Sequence, residues 1–167
     1  MFVLGIDVSK EKLDCYLASE VEEKPKHSSL FQVENGSDGF EKIALKLTKK
    51  GLSFETLTVV LEPTNSYHVE LIYWLNDKMA RICLANPKDV HHYAKSLGRD
   101  SKTDRLDSFA LAQFGLTHQK QFDGWTHLSA YEVVLYKIVL GSKIVWIRCR
   151  AKNYVMSVIT CSSKLNC

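Results

Sequence analysis

Most of what marks a chain for a special environment is scarce in this sequence of 167 residues. No apolar run reaches the roughly 20 residues that span a bilayer. The most apolar late stretch, Val133 to Ile147, is shorter and holds Lys137 and Lys143. The opening MFVLGIDVSK lacks a basic n-region and meets an acid at residue 7, so no secretory signal is expected. Three prolines and eight glycines are too few for a collagenous or low-complexity chain. The five cysteines are odd in number and irregular in spacing, with no CxxC pair, so neither a disulfide framework nor a thiolate metal clip is expected. A reducing, cytoplasmic setting without a membrane partner follows as the expectation.

Charge of one sign is also nearly absent, since the net charge is +3. Its distribution says more. Leu128 to Cys167 carries six basic residues against one acid, which leaves the first 127 residues slightly acidic. Such a tail permits contact with a polyanion, and it equally describes a solvated basic helix.

What is present is globular: 46% hydrophobic and 25% charged residues, enough to bury a core in a unit of about one domain. Phe2 to Val8 is an apolar run broken by Asp7, as expected of a central strand with its acid at the exposed end. After the polar turn SKEK, Leu13, Cys15 and Leu17 alternate with Asp14, Tyr16 and Ala18. This predicts a returning strand with one wetter face, and Leu30 to Val33 supplies a third strand. Phe40, Ile43, Ala44 and Leu47 recur at helical spacing until Gly51. Leu57 to Leu61 reads as a strand delivering Glu62, and Val69 to Leu75 reads as a helix capped by Asn65 or Ser66. Arg81 to Ala85 predicts a strand, Pro87 can open the next helix and Gly98 can end it. A meander followed by alternating helices and strands predicts an α/β fold with a mixed sheet and flanking helices. Beyond about Gln119 the periodicity fades.

Four acids fall where elements begin or end: Asp7, Glu62, Asp104 and Asp107. In open α/β sheets, ligand sites gather beyond the carboxyl ends of strands. If residues 104–115 are helical, at about 100° per residue Leu106, Phe109, Ala110 and Gln113 share one side, and Asp104, Asp107, Ser108 and Leu111 share the other. A like-charged i, i+3 pair is unfavourable on a bare helix, and a divalent cation removes the conflict. Each acid also has a plainer reading, as a solvated strand end, a loop acid before proline, or part of a helix cap. Together they form an oxygen donor set suited to Mg²⁺. Two such ions roughly 3.5–4 Å apart can serve both the attacking and leaving oxygens of a phosphodiester.

The segments GIDVSKEKLD, VVLEPT and LANPKDVHHYAKSLGRDSKTDRLDSFALAQF, in that order, resemble the DEDD transposases of bacterial insertion sequences. The similarity is to the insertion sequence 110 family, which includes the pilin-gene inverting recombinases, and it runs from about residue 1 to 125. It implies an RNase H-like fold of the Holliday-junction resolvase type in which Asp7, Glu62, Asp104 and Asp107 form a catalytic tetrad binding Mg²⁺, one or two ions, with Mn²⁺ as a substitute. The implied function is Mg²⁺-dependent phosphodiester chemistry during DNA transposition and recombination. The implied partners are DNA, a structured guide RNA from the element, and a second copy of the full-length protein. Family members carry a downstream domain with a catalytic serine. Residues 126–167 do not resemble the family's polar helix, so a copy cut short, or shifted in frame after Trp125, is expected, and Ser157, Ser162 and Ser163 do not inherit that role. Such a chain is expected not to complete recombination.

Basic residues near the acids, Lys10, Lys12, Lys88, Lys95, Arg99, Lys102 and Arg105, can approach phosphates, with Lys10, Arg99, Lys102 and Arg105 the candidate nucleic-acid contacts. His91 and His92 are adjacent on a predicted helix and point about 100° apart, which suits surface or packing roles better than one metal. Trp74 sits among apolar neighbours and reads as core, and Trp125 and Trp146 have no assigned role. Two readings compete with the recombinase: an inactive remnant that binds nucleic acid or full-length relatives, and a fragment of an actin-like or sugar-kinase ATPase. The last requires a glycine-rich phosphate loop after the first strand, and SKEK has no glycine.

Overall fold

The computed structural model describes residues 1–63, 66–96 and 104–118, with side chains from 107 in the last segment. The chain divides into Met1–His127 and Leu128–Cys167, and all described residues lie in the first unit. Asn65, Gly98, Arg99, Lys102, the Asp104 and Arg105 side chains, Trp125, Trp146 and the basic tail fall outside them.

Five strands form one sheet in the order β3-β2-β1-β4-β5: β1 (Phe2–Val8), β2 (Lys12–Ala18), β3 (Leu30–Glu34), β4 (Leu57–Leu61) and β5 (Arg81–Leu84). The first three pair antiparallel as the expected meander, while β4 and β5 join parallel to β1, giving the mixed sheet. Among the described residues four α-helices accompany it: α1 (Ser37–Lys49), α2 (Val69–Asp77), α3 (Pro87–Ser96) and α4 (Asp104–Thr117). None among the described residues is long and apolar enough to cross a membrane.

Strand alternation sorts the core into two layers. Val3 and Gly5 of β1, Tyr16 and Ala18 of β2, Val60 of β4 and Cys83 of β5 face α4, where they meet Phe109, Ala112 and Phe114. Leu4, Ile6, Leu13, Cys15, Val59 and Leu61 fill the other layer, to which α1 brings Phe40, Ile43 and Leu47 and α2 brings Leu71 and Leu75. Trp74 lies at the edge of that layer, half-buried, against Phe40 and Phe54 at 5.5 and 5.2 Å. Burial pushes the Cys83 thiol up to about 12 and raises that of Cys15, so both stay protonated and act as small apolar residues.

Two expectations change here. The supposedly wetter face of β2 is buried: Asp14 is 4% exposed and Tyr16 fully enclosed, its ring meeting Phe109 edge-on at 4.9 Å. Second, α4 is not two-sided, because Ser108 and Leu111 are as buried as Phe109 and Ala110. Loop 19–26 and α3 close its flanks. The Glu22 amide donates to Gln113 Oε1 at 2.8 Å, and Tyr93 packs on Phe114 at 5.7 Å.

Helix ends follow local chemistry. Gly51 takes φ +70° after α1, and the Leu52 amide donates back to Leu47 O, closing a Schellman turn. The same turn ends α2, with Ala80 donating to Leu75 O, yet Met79 sits there at φ 60° and 50% exposed. An L-residue in this region costs about 1–2 kcal/mol, a cost that glycine escapes. Met79→Gly is therefore expected to raise stability by roughly 0.5–1 kcal/mol, read as a higher urea midpoint at constant m. At the start of α2 the cap position belongs to His68 rather than Asn65 or Ser66, and no side chain caps it.

Candidate active site

Asp7 is the penultimate residue of β1, half-buried, and by alternation shares the α4 face with Val3 and Gly5. On one side β4 pairs with β1 through Ile6 and Leu61, and the residues that follow are Asp7, still in β1, and Glu62, just past the end of β4. Neighbouring strands lie about 4.8 Å apart, so these two acids are adjacent at the carboxyl ends of the two strands. On the other side Asp14 is directly opposite Asp7 in the antiparallel ladder. Three carboxylates thus form a row, Asp14–Asp7–Glu62, across β2, β1 and the end of β4.

The direction of α4 brings its first turn to this row. A Cβ built on Gly5 would lie 2.2 Å from Ser108 O and 2.5 Å from Ala112 N, and one built on Gly115 would lie 2.9 Å from Val3 Cγ1. The helix therefore runs antiparallel to β1. Moving from Gly5 to Asp7 advances about 6.6 Å along the strand, which matches about four helical residues at 1.5 Å each. That step leads from the Ser108–Ala112 contact to the turn containing Asp104 and Asp107. Asp107 is half-buried. The backbone thus carries all four predicted acids to one end of the sheet.

The cations divide. Lys10 is exposed on the β1–β2 turn at the same end, and Lys88 and Lys95 are exposed on α3. Arg99 and Lys102, with the Arg105 side chain, lie outside the described residues. His91 and His92 are both exposed with ring centroids 6.3 Å apart, consistent with surface roles. A cavity of about 470 Å³ lined by Asp89, His92, Tyr93, Ser96, Phe114 and His118 opens at the far end of α4 from the acids.

A hard divalent cation takes carboxylate oxygens, and the donors here are of that kind. Among the described residues no group of three or more His, Cys, Asp or Glu side chains converges tightly enough to hold a metal ion, and the Asp104 carboxylate lies outside that set. In chemistry and element placement the acids fit such an ion.

Sequence reasoning missed two polar features of the α4 face: a network around Gln113 and Tyr16, and an acid in the row itself. Gln113, fully buried, accepts from the Glu22 amide, and the Tyr16 hydroxyl donates to Glu22 Oε2 while accepting from the Lys26 amide at 3.0 Å. Burial and the bond to Glu22 push the Tyr16 phenol up. This network ties loop 19–26 to both β2 and α4. The second is Asp14. Its signal was available, since any turn that pairs Val8 with Leu13 must pair Asp7 with Asp14.

Comparison with known proteins decides the family. The profile of a transposase family, the DEDD transposases of insertion sequence 110, matches residues 4–159. The chain belongs to this family. Two relatives of this chain are the pilin gene-inverting proteins of Moraxella bovis and Moraxella lacunata, 30% and 29% identical over 113 residues. Each match covers 67% of this chain and 33% of the relative, so the chain spans a third of the length of the curated proteins it matches. Among solved structures, T. thermophilus RuvC in complex with a Holliday junction substrate superposes with a TM-score of 0.51 at 12% identity, covering 76% of this chain and 98% of that one. The chain thus shares the RNase H-like fold of that structure.

Proposed function

We propose that this chain is the catalytic domain of a DNA recombinase or transposase and that Asp7, Glu62, Asp104 and Asp107 are its active site. The observation carrying this reading is the adjacency of Asp7 and Glu62 on the α4 face of the sheet, at the end reached by the first turn of α4. The four carboxylates would hold Mg²⁺, as one or two ions, with Mn²⁺ able to substitute. Bound there, the metal supplies Lewis-acid activation of a water or hydroxyl and charge stabilisation at the leaving oxygen. The chain's own contribution is placement: the central strand fixes Asp7, the end of β4 fixes Glu62, and a helix anchored by close backbone packing carries the other pair.

The substrate is DNA. Lys10, Arg99, Lys102 and Arg105 would meet its phosphates and offset the repulsion between the acids and the backbone. The inverting relatives and the junction-bound RuvC structure favour branched or recombining DNA over a simple duplex as the reacting form. A structured RNA and a second copy of the protein are the further partners this reading implies.

Calorimetric titration of the full chain with Mn²⁺ tests the assignment. Saturable binding is expected for the wild type and none for Asp104→Asn combined with Asp107→Asn. An unchanged isotherm in the double variant would overturn it.

A further inference from the structure

The buried acid beside Asp7 does something that the tetrad does not explain. Asp14 is 4% exposed and uses both oxygens: Oδ1 accepts from Gln32 Nε2 at 2.8 Å, and Oδ2 pairs with Lys12 Nζ at 3.2 Å. It faces Asp7 in register, and like charges directly opposed across a ladder are destabilising. Burying a carboxylate adds a desolvation cost, and replacing a buried pair with uncharged residues is often neutral or favourable. Stability alone therefore gives poor grounds for an acid at this position.

What the acid does accomplish is to fix a cation. Lys12 opens β2 on the α4 face, at the same sheet end as Asp7 and the end of β4. A lysine ammonium rides on a flexible stem and is normally spread over many positions. Here the Asp14 carboxylate holds it from below, while 40% of the Lys12 side chain reaches solvent. Its neighbour Ser9 braces the same corner, the Ser9 hydroxyl donating to Lys12 O at 2.9 Å. The result is an ammonium at a set place on the rim of an otherwise acidic row, where an approaching polyanion gains most from it.

We propose that Lys12, anchored by Asp14, is a backbone-phosphate contact of the site, and that Asp14 is the residue that positions it. This rests on the reading of the site as one that receives DNA. Asp14 itself touches no substrate; it acts through Lys12.

The experiment is fluorescence anisotropy of the full chain with a labelled four-way DNA junction across a salt series in EDTA, so that metal plays no part. Loss of one phosphate contact lowers the slope of log K against log salt by about 0.9. That reduction is expected for Lys12→Met, whereas Lys12→Arg keeps the wild-type slope. Asp14→Asn is expected to weaken binding toward the Lys12→Met level with the charge at Lys12 intact. The double variant Lys12→Met with Asp14→Asn removes both charges, leaves no buried acid without its cation, and should show the same reduced slope.

An unchanged slope in Lys12→Met or the double variant overturns the proposal, and lower stability with an unchanged slope marks the pair as structural, which also overturns it. Wild-type affinity in Asp14→Asn overturns the positioning role. Absence of DNA binding by the wild type would instead end the DNA reading, while the Mn²⁺ titration judges the metal site independently.

Discussion

Gly5→Ala is expected to leave the protein unable to hold its native fold, with a loss of at least roughly 3 kcal/mol, at or beyond the upper end of overpacking costs. A methyl group at Gly5 would sit 2.2 Å from Ser108 O, 2.5 Å from Ala112 N and 3.0 Å from Ala112 Cβ. The first two are backbone atoms of a helix, so no rotamer change relieves them. Either α4 lifts by about 1 Å or β1 bends, and both moves loosen a dense interior. The helix cannot lift freely, because Tyr16 against Phe109 and the Glu22–Gln113 bond hold it to β2 and loop 19–26. A matched control is Gly36→Ala, where an added Cβ has no neighbour within 4 Å and the backbone is extended at φ 174°. Its cost should stay below about 1 kcal/mol, the scale of a helix-cap change. Urea unfolding of the two variants separates the outcomes, and similar midpoints would show that the contact with α4 is not tight.

This glycine also links fold to site. The strand bearing Asp7 and the helix bearing Asp104 and Asp107 touch backbone to backbone at residues 5, 108 and 112. One side chain at the crossing would push the acids apart before it reached any of them. The smallest residue thus sets the spacing of the carboxylates in the proposed centre.

Much of this was legible from local pattern. The unbroken apolar run into Asp7 marks a strand with neighbours on both sides, and β1 is indeed flanked by β2 and β4. Leu57 to Leu61 running into Glu62 marks a second strand end, and the structure puts it beside the first. What was hidden depends on partners distant in sequence. The faces of α4 could not be sorted by periodicity because its flanks are covered by residues such as Glu22, 91 positions from Gln113. Ser108 and Leu111 then have no solvent side to mark. Likewise Asp14 and Tyr16 read as a wetter face because their cover, Phe109 and its neighbours, lies some 90 residues later. Alternation reports that a strand has two sides, and only tertiary contact reports which is wet.

For Asp7→Asn the expected result is a protein that folds normally and no longer responds to divalent metal. Asp7 lies in the middle of the row, with Asp14 opposite and Glu62 just past the end of β4. Removing its charge relieves like-charge proximity on both sides, each such cross-strand pair being worth roughly 0.2–1 kcal/mol. The metal-free melting temperature should therefore stay within a few degrees of the wild type. A ligand that binds only the native state stabilises by RT ln(1 + [L]/Kd), about 2.7 kcal/mol at a hundredfold excess over Kd. At roughly 2–4 °C per kcal/mol for a chain near this size, Mg²⁺ or Mn²⁺ should raise the wild-type melting temperature by about 5–10 °C. Asp7→Asn should show no such rise, while Asp89→Asn, an exposed acid on α3, keeps it. The pairing of a nearly unchanged metal-free stability with a lost metal response is the signature of an acid placed for binding rather than for folding. A metal-dependent shift that persists in Asp7→Asn would remove that residue from the centre. A marked fall in metal-free stability would make it a structural acid instead.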